Sequence, residues 1–178
     1  MEPQKEKLIK NKSSILSGLL LGITTIYFFT ELFQGFVAYL FGAENLIYSM
    51  KGFFFSADFI LPGELNSLSY IFILTSNVIF IIVLIEFTML GLKKTGLGFY
   101  RYSLILFQLV MVGYLIVNIF YGAFSIFINV DLNNNWLLLS EYLGINGPSK
   151  IAYMFFVVLI LLAYLNMVSR RIQKYINI

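Results

Sequence analysis

Four long runs of apolar positions divide this chain: Ile15–Phe41, Leu68–Leu92, Tyr102–Ile128 and Ile151–Val168. Each is close to or beyond the ~20 residues a helix needs to cross the hydrocarbon of a bilayer. In lipid every backbone polar group must be satisfied within the segment, so helices are expected there. Strands are not expected, because barrel segments are about 10 residues long and alternate strictly. The pattern predicts an all-α, polytopic membrane protein: a single transmembrane helical domain over 1–178 with four spans.

The connection after the first run, residues 43–67, is the longest. Gly52, Pro62 and Gly63 punctuate it, yet it carries Ile47, Tyr48, Phe53, Phe54, Phe55 and Phe59, with few charges. It is too short to span and too apolar for a solvated loop, so it is expected to lie in the outer interface or to re-enter the bundle. The second connection, Thr95–Gly98, is a short Gly-rich turn. The third holds Asp131–Asn135, read as a solvated turn, then Trp136 beside Leu137–Leu139. Pro148 and Ser149 mark the start of the fourth helix. Ser13 and Ser14 are expected to cap the first. Neither an internal repeat nor the inverted symmetry of many transporters is seen.

Charge orients this plan. Threaded alternately, the four spans put Lys5, Lys7, Lys10, Lys12, Lys93, Lys94, Arg101, Arg170, Arg171 and Lys174 on one side, leaving Lys51 and Lys150 on the other. Cytoplasmic loops carry the excess of Lys and Arg, so both termini are expected inside. The net charge of +3 is thus a topology signal, with no nucleic-acid partner implied. The basic N-terminus is not read as a signal peptide, since about 27 apolar residues are too long for an h-region. A composition rich in Lys, Asn and Ile fits an AT-rich bacterium and its inner (plasma) membrane.

The chain is 60% hydrophobic and 12% charged, with neither Cys nor His. Disulfides and thiolate chemistry are out of reach. The commonest ligand for zinc, haem and copper is missing, as is the commonest neutral-pH proton shuttle. No metal site and no cofactor are expected.

The main polar group inside a span is Thr30, Glu31 and Gln34. Glu31 lies roughly 24 Å along the helix from Ile15 at 1.5 Å per residue. Glu31, Gln34, Gly35 and Ala38 share a face by their spacing. A carboxyl in lipid is costly, so this face should point into the bundle or at a partner. Two readings stay open: a proton or ligand site, or a protonated carboxyl bonded to a neighbouring helix, with Gln34 as its nearest partner. Glu86, seven residues before Lys93, reads as a side chain reaching toward Lys93, Lys94 or water. Ser14, Gly18 and Gly22, four apart, form a close-packing face. Gly113, Asn118, Gly122 and Ser125 make a weaker small and polar stripe, in which Asn118 is placed to donate an interhelical hydrogen bond.

The stretch Thr30–Glu44 resembles the membrane-embedded site-2 type metalloproteases. In that family a helix carries His-Glu-x-x-His and runs through small and apolar residues into a Gly. The histidines bind zinc and the Glu activates water. Glu31 stands at the Glu position, while Thr30 and Gln34 occupy the histidine positions, and neither replaces imidazole. The family's Asp ligand has no counterpart in the later spans. Asn77, in Leu74-Thr75-Ser76-Asn77, parallels the family's polar helix break. The resemblance implies a protease-like fold whose site cannot hold zinc.

The leading expectation is a non-catalytic membrane subunit or scaffold, with the lipid bilayer and other membrane-protein subunits or further copies of itself as partners. A small proton- or ligand-coupled carrier using Glu31 and an inactive protease-like protein are the alternatives.

Overall fold

The computed structural model describes residues 2–51, 54–63, 65–95, 98–128 and 135–176, and their side chains except at 2–11, 51, 54 and 176. The Asp131–Asn134 part of the expected solvated turn, and the centre of the Thr95–Gly98 turn, lie outside the described residues.

Among the described residues, four helices are long and apolar enough to cross a membrane: Lys12–Leu40, Ser67–Lys94, Phe99–Ile128 and Pro148–Tyr175. The all-α membrane class therefore stands. The first span is composite. Helix α1 (Glu2–Thr24) passes through one π-helical turn (Thr25–Phe29) into α2 (Thr30–Leu40). The turn closes where the N–H of Thr30 bonds to the carbonyl of Thr25. One extra residue in a turn rotates everything beyond it by about 100° relative to an uninterrupted helix. Flanking hydroxyls engage nearby carbonyls: Thr25 Oγ1 donates to Leu21 O at 2.8 Å and Thr30 Oγ1 to Ile26 O. No Pro or Gly marks this turn, and it breaks the single regular helix expected over 15–41. The helix also starts at Glu2, so Ser13 and Ser14 are not its caps.

Helix α2 stops in a Schellman end. Gly42, at φ +84°, bonds back to Tyr39 O, and Ala43 N–H reaches Ala38 O at 2.9 Å. Only Gly adopts that backbone at no steric cost, so Gly42 turns the chain and supplies the last carbonyls with donors.

The chain then forms an antiparallel pair, β1 (Glu44–Lys51) and β2 (Phe54–Ile60). Tyr48 faces Ala57, Ser49 faces Ser56 and Lys51 faces Phe54, with an irregularity between Glu44 and Ile47 where Asn45 has φ +52°. The sequence reading did not anticipate this sheet. Yet the period-2 alternation that marks a strand is present: Tyr48, Met50, Phe55, Ala57 and Phe59 share one face, and Ser49, Ser56 and Asp58 the other.

Beyond the hairpin come α3 (Ser67–Lys94), α4 (Phe99–Ile128), α5 (Asn135–Tyr142) and α6 (Pro148–Ile176). The short helix α5 takes in Trp136 and Leu137–Leu139, and ends at Gly144 as α2 ends at Gly42, with Ile145 N–H on Ser140 O at 2.9 Å. Six buried apolar positions of α3, Leu74, Val78, Ile81, Ile85, Met89 and Leu92, step by three and four, which places them in one stripe, while Ile73, Ser76 and Asn77 extend the burial beyond it in the N-terminal half of the helix.

The chain divides into two compact units. The first takes Met1–Leu65 and Ser76–Gly113; the second takes Asn66–Thr75 and Tyr114–Ile178. In the first, Gly18 and Gly22 lie against α4. A Cβ on Gly18 would come 2.5 Å from Ser103 O, and one on Gly22 would come 2.8 Å from Val110 Cβ. Lipid offers no hydrophobic drive to press helices together, so this close approach supplies the attraction through van der Waals contact. In the second unit, Tyr70 stacks on Tyr142 at 3.9 Å, and Lys150 pairs with Glu141 at 3.6 Å.

Candidate functional site

The hairpin folds back along the first span. The Tyr48 hydroxyl donates to Leu32 O at 3.3 Å, Phe28 meets Phe55 at 5.4 Å between ring centroids, and Tyr48 stacks on Phe55. Burial pushes the Tyr48 phenol above its ordinary range. Gly35 makes the approach possible: a Cβ there would lie 2.6 Å from the Tyr48 hydroxyl and 3.0 Å from Leu46 Cδ1.

Glu31 completes this contact. Its Oε2 accepts the backbone N–H of Ala57 at 3.2 Å. An edge strand presents unpaired N–H groups, and beside a membrane each one left without a partner is costly. The carboxyl of Glu31 thus serves as an acceptor for the edge of β2. The bond expected between Glu31 and a helix, with Gln34 as the nearest partner, is replaced by one to a strand. Gln34 and Thr30 are buried on α2, Gln34 at 6% exposed. The opposite face of the hairpin is polar, with Ser49 Oγ near Ser56 Oγ at 3.3 Å and donating to Asp58 Oδ2 at 3.4 Å.

A second polar group joins α1 to α4. Ser14 Oγ donates to Phe99 O at 2.7 Å and lies 3.2 Å from Ser103 Oγ, while Ser17 Oγ is 2.8 Å from Ser103 Oγ. A third joins α3 to α4: Gln108 Nε2 donates to Thr88 Oγ1 at 2.9 Å and to Ile85 O at 3.3 Å. Ser103, Thr88 and Gln108 escaped the sequence reading. Gln108 is fully buried, and an amide within an apolar run was the signal available.

The remaining positions are dispersed. Asn118 accepts from the indole N–H of Trp136 at 2.9 Å and donates to the Tyr114 hydroxyl at 3.5 Å. It is thus an acceptor toward α5, where an interhelical donor was expected. Gly122 lies under the same ring, since a Cβ there would overlap Trp136 Cδ1. Ser125 bonds within its own helix to Gly122 O, and Gly113 faces open space. Asn77 is buried in α3 and its Oδ1 accepts from Val78 N–H. Glu86 is half-buried on the same helix.

Among the described residues, no three Asp or Glu side chains gather where they would hold a metal ion. No protein-family model, curated protein or solved structure matches this chain.

Proposed function

We propose that this chain is a non-catalytic integral-membrane subunit or scaffold that packs against other membrane proteins. It sits in the inner (plasma) membrane of a bacterium with both termini in the cytoplasm. One observation carries the reading: four polar residues within the spans tie them to other segments of the same chain. Glu31 engages Ala57, Ser14 engages Ser103, Gln108 engages Thr88 and Asn118 engages Trp136. A carrier or hydrolase needs polar groups converging on a shared path or cleft. Here they serve as separate fastenings, which is what a scaffold needs. The orientation rests on the ten-to-two split of basic residues.

The surface for partners is apolar and aromatic. Ile116, Phe120, Phe124 and Phe127 of α4, with Phe155 and Val158 of α6, line a groove of about 660 Å³. Membrane helices associate by filling such relief.

The test is extraction of native membranes in mild detergent, followed by mass determination. The proposal expects a particle containing other membrane proteins in fixed ratio. A monomer whose stability rises with a proton gradient or a small ligand would overturn it in favour of a carrier using Glu31.

A further inference from the structure

We infer that the C-terminal end of α6 holds the headgroup of an anionic phospholipid. Ala163, Asn166, Met167, Arg170, Arg171 and Lys174 line a concavity of about 270 Å³. Their spacing of three and four places all six on one helical face. Asn166, Arg170 and Lys174 are exposed, and Met167 is 40% exposed. The face runs roughly 16 Å along the axis at 1.5 Å per residue.

The order of chemistry along this face matches the depth profile of a phospholipid. Ala163 and Met167 offer a small apolar surface to an acyl chain. Between them, Asn166 presents a carboxamide that can donate to an ester carbonyl. Arg170, Arg171 and Lys174 then gather three cations at the end of the span. Guanidinium forks match phosphate oxygens in pairs. Arg171 Nη2 lies 3.2 Å from Met167 Sδ, which folds that guanidinium back over the concavity. A zwitterionic headgroup carries its own cation against the cluster, whereas an anionic one does not. Basic groups at this depth attract anionic lipids. The inference rests on α6 crossing the membrane and is independent of the subunit reading.

The test uses the purified full-length chain in neutral detergent, titrated with phosphatidylglycerol, phosphatidylcholine or inorganic phosphate and read by native mass spectrometry. Phosphatidylglycerol is expected to remain bound where the other two do not. In R170Q/R171Q/K174Q, each lost charge should weaken retention about fivefold, whereas K93Q/K94Q should match the parent. Because removing charge can alter insertion, R170K/R171K provides a second variant: it keeps the charge but loses the paired donors, and it should also bind more weakly than the parent. Equal retention by R170K/R171K and the parent would overturn the proposal, reducing the effect to diffuse attraction. An equal loss in K93Q/K94Q, or displacement of the lipid by inorganic phosphate, would overturn it too.

Discussion

Glu31 and Ala57 are 26 residues apart, yet the carboxyl of one accepts the backbone N–H of the other at 3.2 Å. This bond fastens a two-stranded hairpin to the first membrane span, and its loss should be measurable. In Glu31→Leu the half-buried Ala57 N–H loses its acceptor, which costs up to about 1 kcal/mol, below the about 1–3 kcal/mol of a fully buried group. Glu31→Gln keeps a carbonyl oxygen and should retain most of the stability. Glu31→Lys adds a charge costing about 2.5–3.5 kcal/mol on the insertion scale. Hydrogen exchange at the hairpin amides should quicken in Glu31→Leu and stay near the parent rate in Glu31→Gln. Indistinguishable exchange in the two variants would show that the bond does not hold the hairpin.

Gly35 and Tyr48 should behave as a coupled pair. A Cβ at position 35 meets the tyrosine hydroxyl at 2.6 Å, so Gly35→Val should displace the hairpin and lower the melting temperature in detergent. Tyr48→Ala removes the obstacle and should make Gly35→Val milder in the double variant. Contacting residues typically couple by about 0.5–3 kcal/mol. Additive effects would contradict the contact.

On α1, Gly18→Ala should destabilise although it adds one methyl. The new atom would meet a backbone oxygen, Ser103 O, at 2.5 Å, and a backbone cannot rotate aside as a side chain can. Overpacking of this kind costs about 1–3 kcal/mol. Leu20 is 55% exposed, so Leu20→Ile should be nearly silent in the same thermal assay. Equal shifts for the two variants would mean that the small-residue face has no role in packing.

Trp136 is the single tryptophan of the chain, so its fluorescence reports on one place. Its indole bonds to Asn118 at 2.9 Å, and its ring covers Gly122. Gly122→Val should push the ring outward and shift the emission to the red. Asn118→Leu leaves the indole N–H without that acceptor and should cost about 1–3 kcal/mol in thermal stability. An unchanged spectrum in Gly122→Val would contradict the packing of α5 on α4.

The proposed orientation is open to labelling. Cysteines placed at Ser13, Thr95 and Ser169 should resist an impermeant thiol reagent on intact cells, and one at Asn134 should react. The native chain has no cysteine, so the background is clean. Reaction at Thr95 from outside would reverse the topology.

What the sequence by itself determined is the class of the protein and the number of its spans. A bilayer demands a continuous apolar run with its backbone bonds closed locally. Both conditions are written in consecutive residues, so the four runs could be counted without knowing what packs on what. The need of Glu31 for a partner was equally legible, because a carboxyl at that depth is costly wherever it points. Tertiary structure decided who the partner is. Ala57 lies 26 residues from Glu31, Ser103 lies 89 from Ser14, and Trp136 lies 18 from Asn118. The first of these pairings depends on how far the π-helical turn rotates α2 and on where Gly42 sends the chain; the other two depend on which helices lie side by side. A periodicity count that assumes one uninterrupted helix carries no trace of any of these, so the fastening of the hairpin to the first span emerges only when distant segments are brought together.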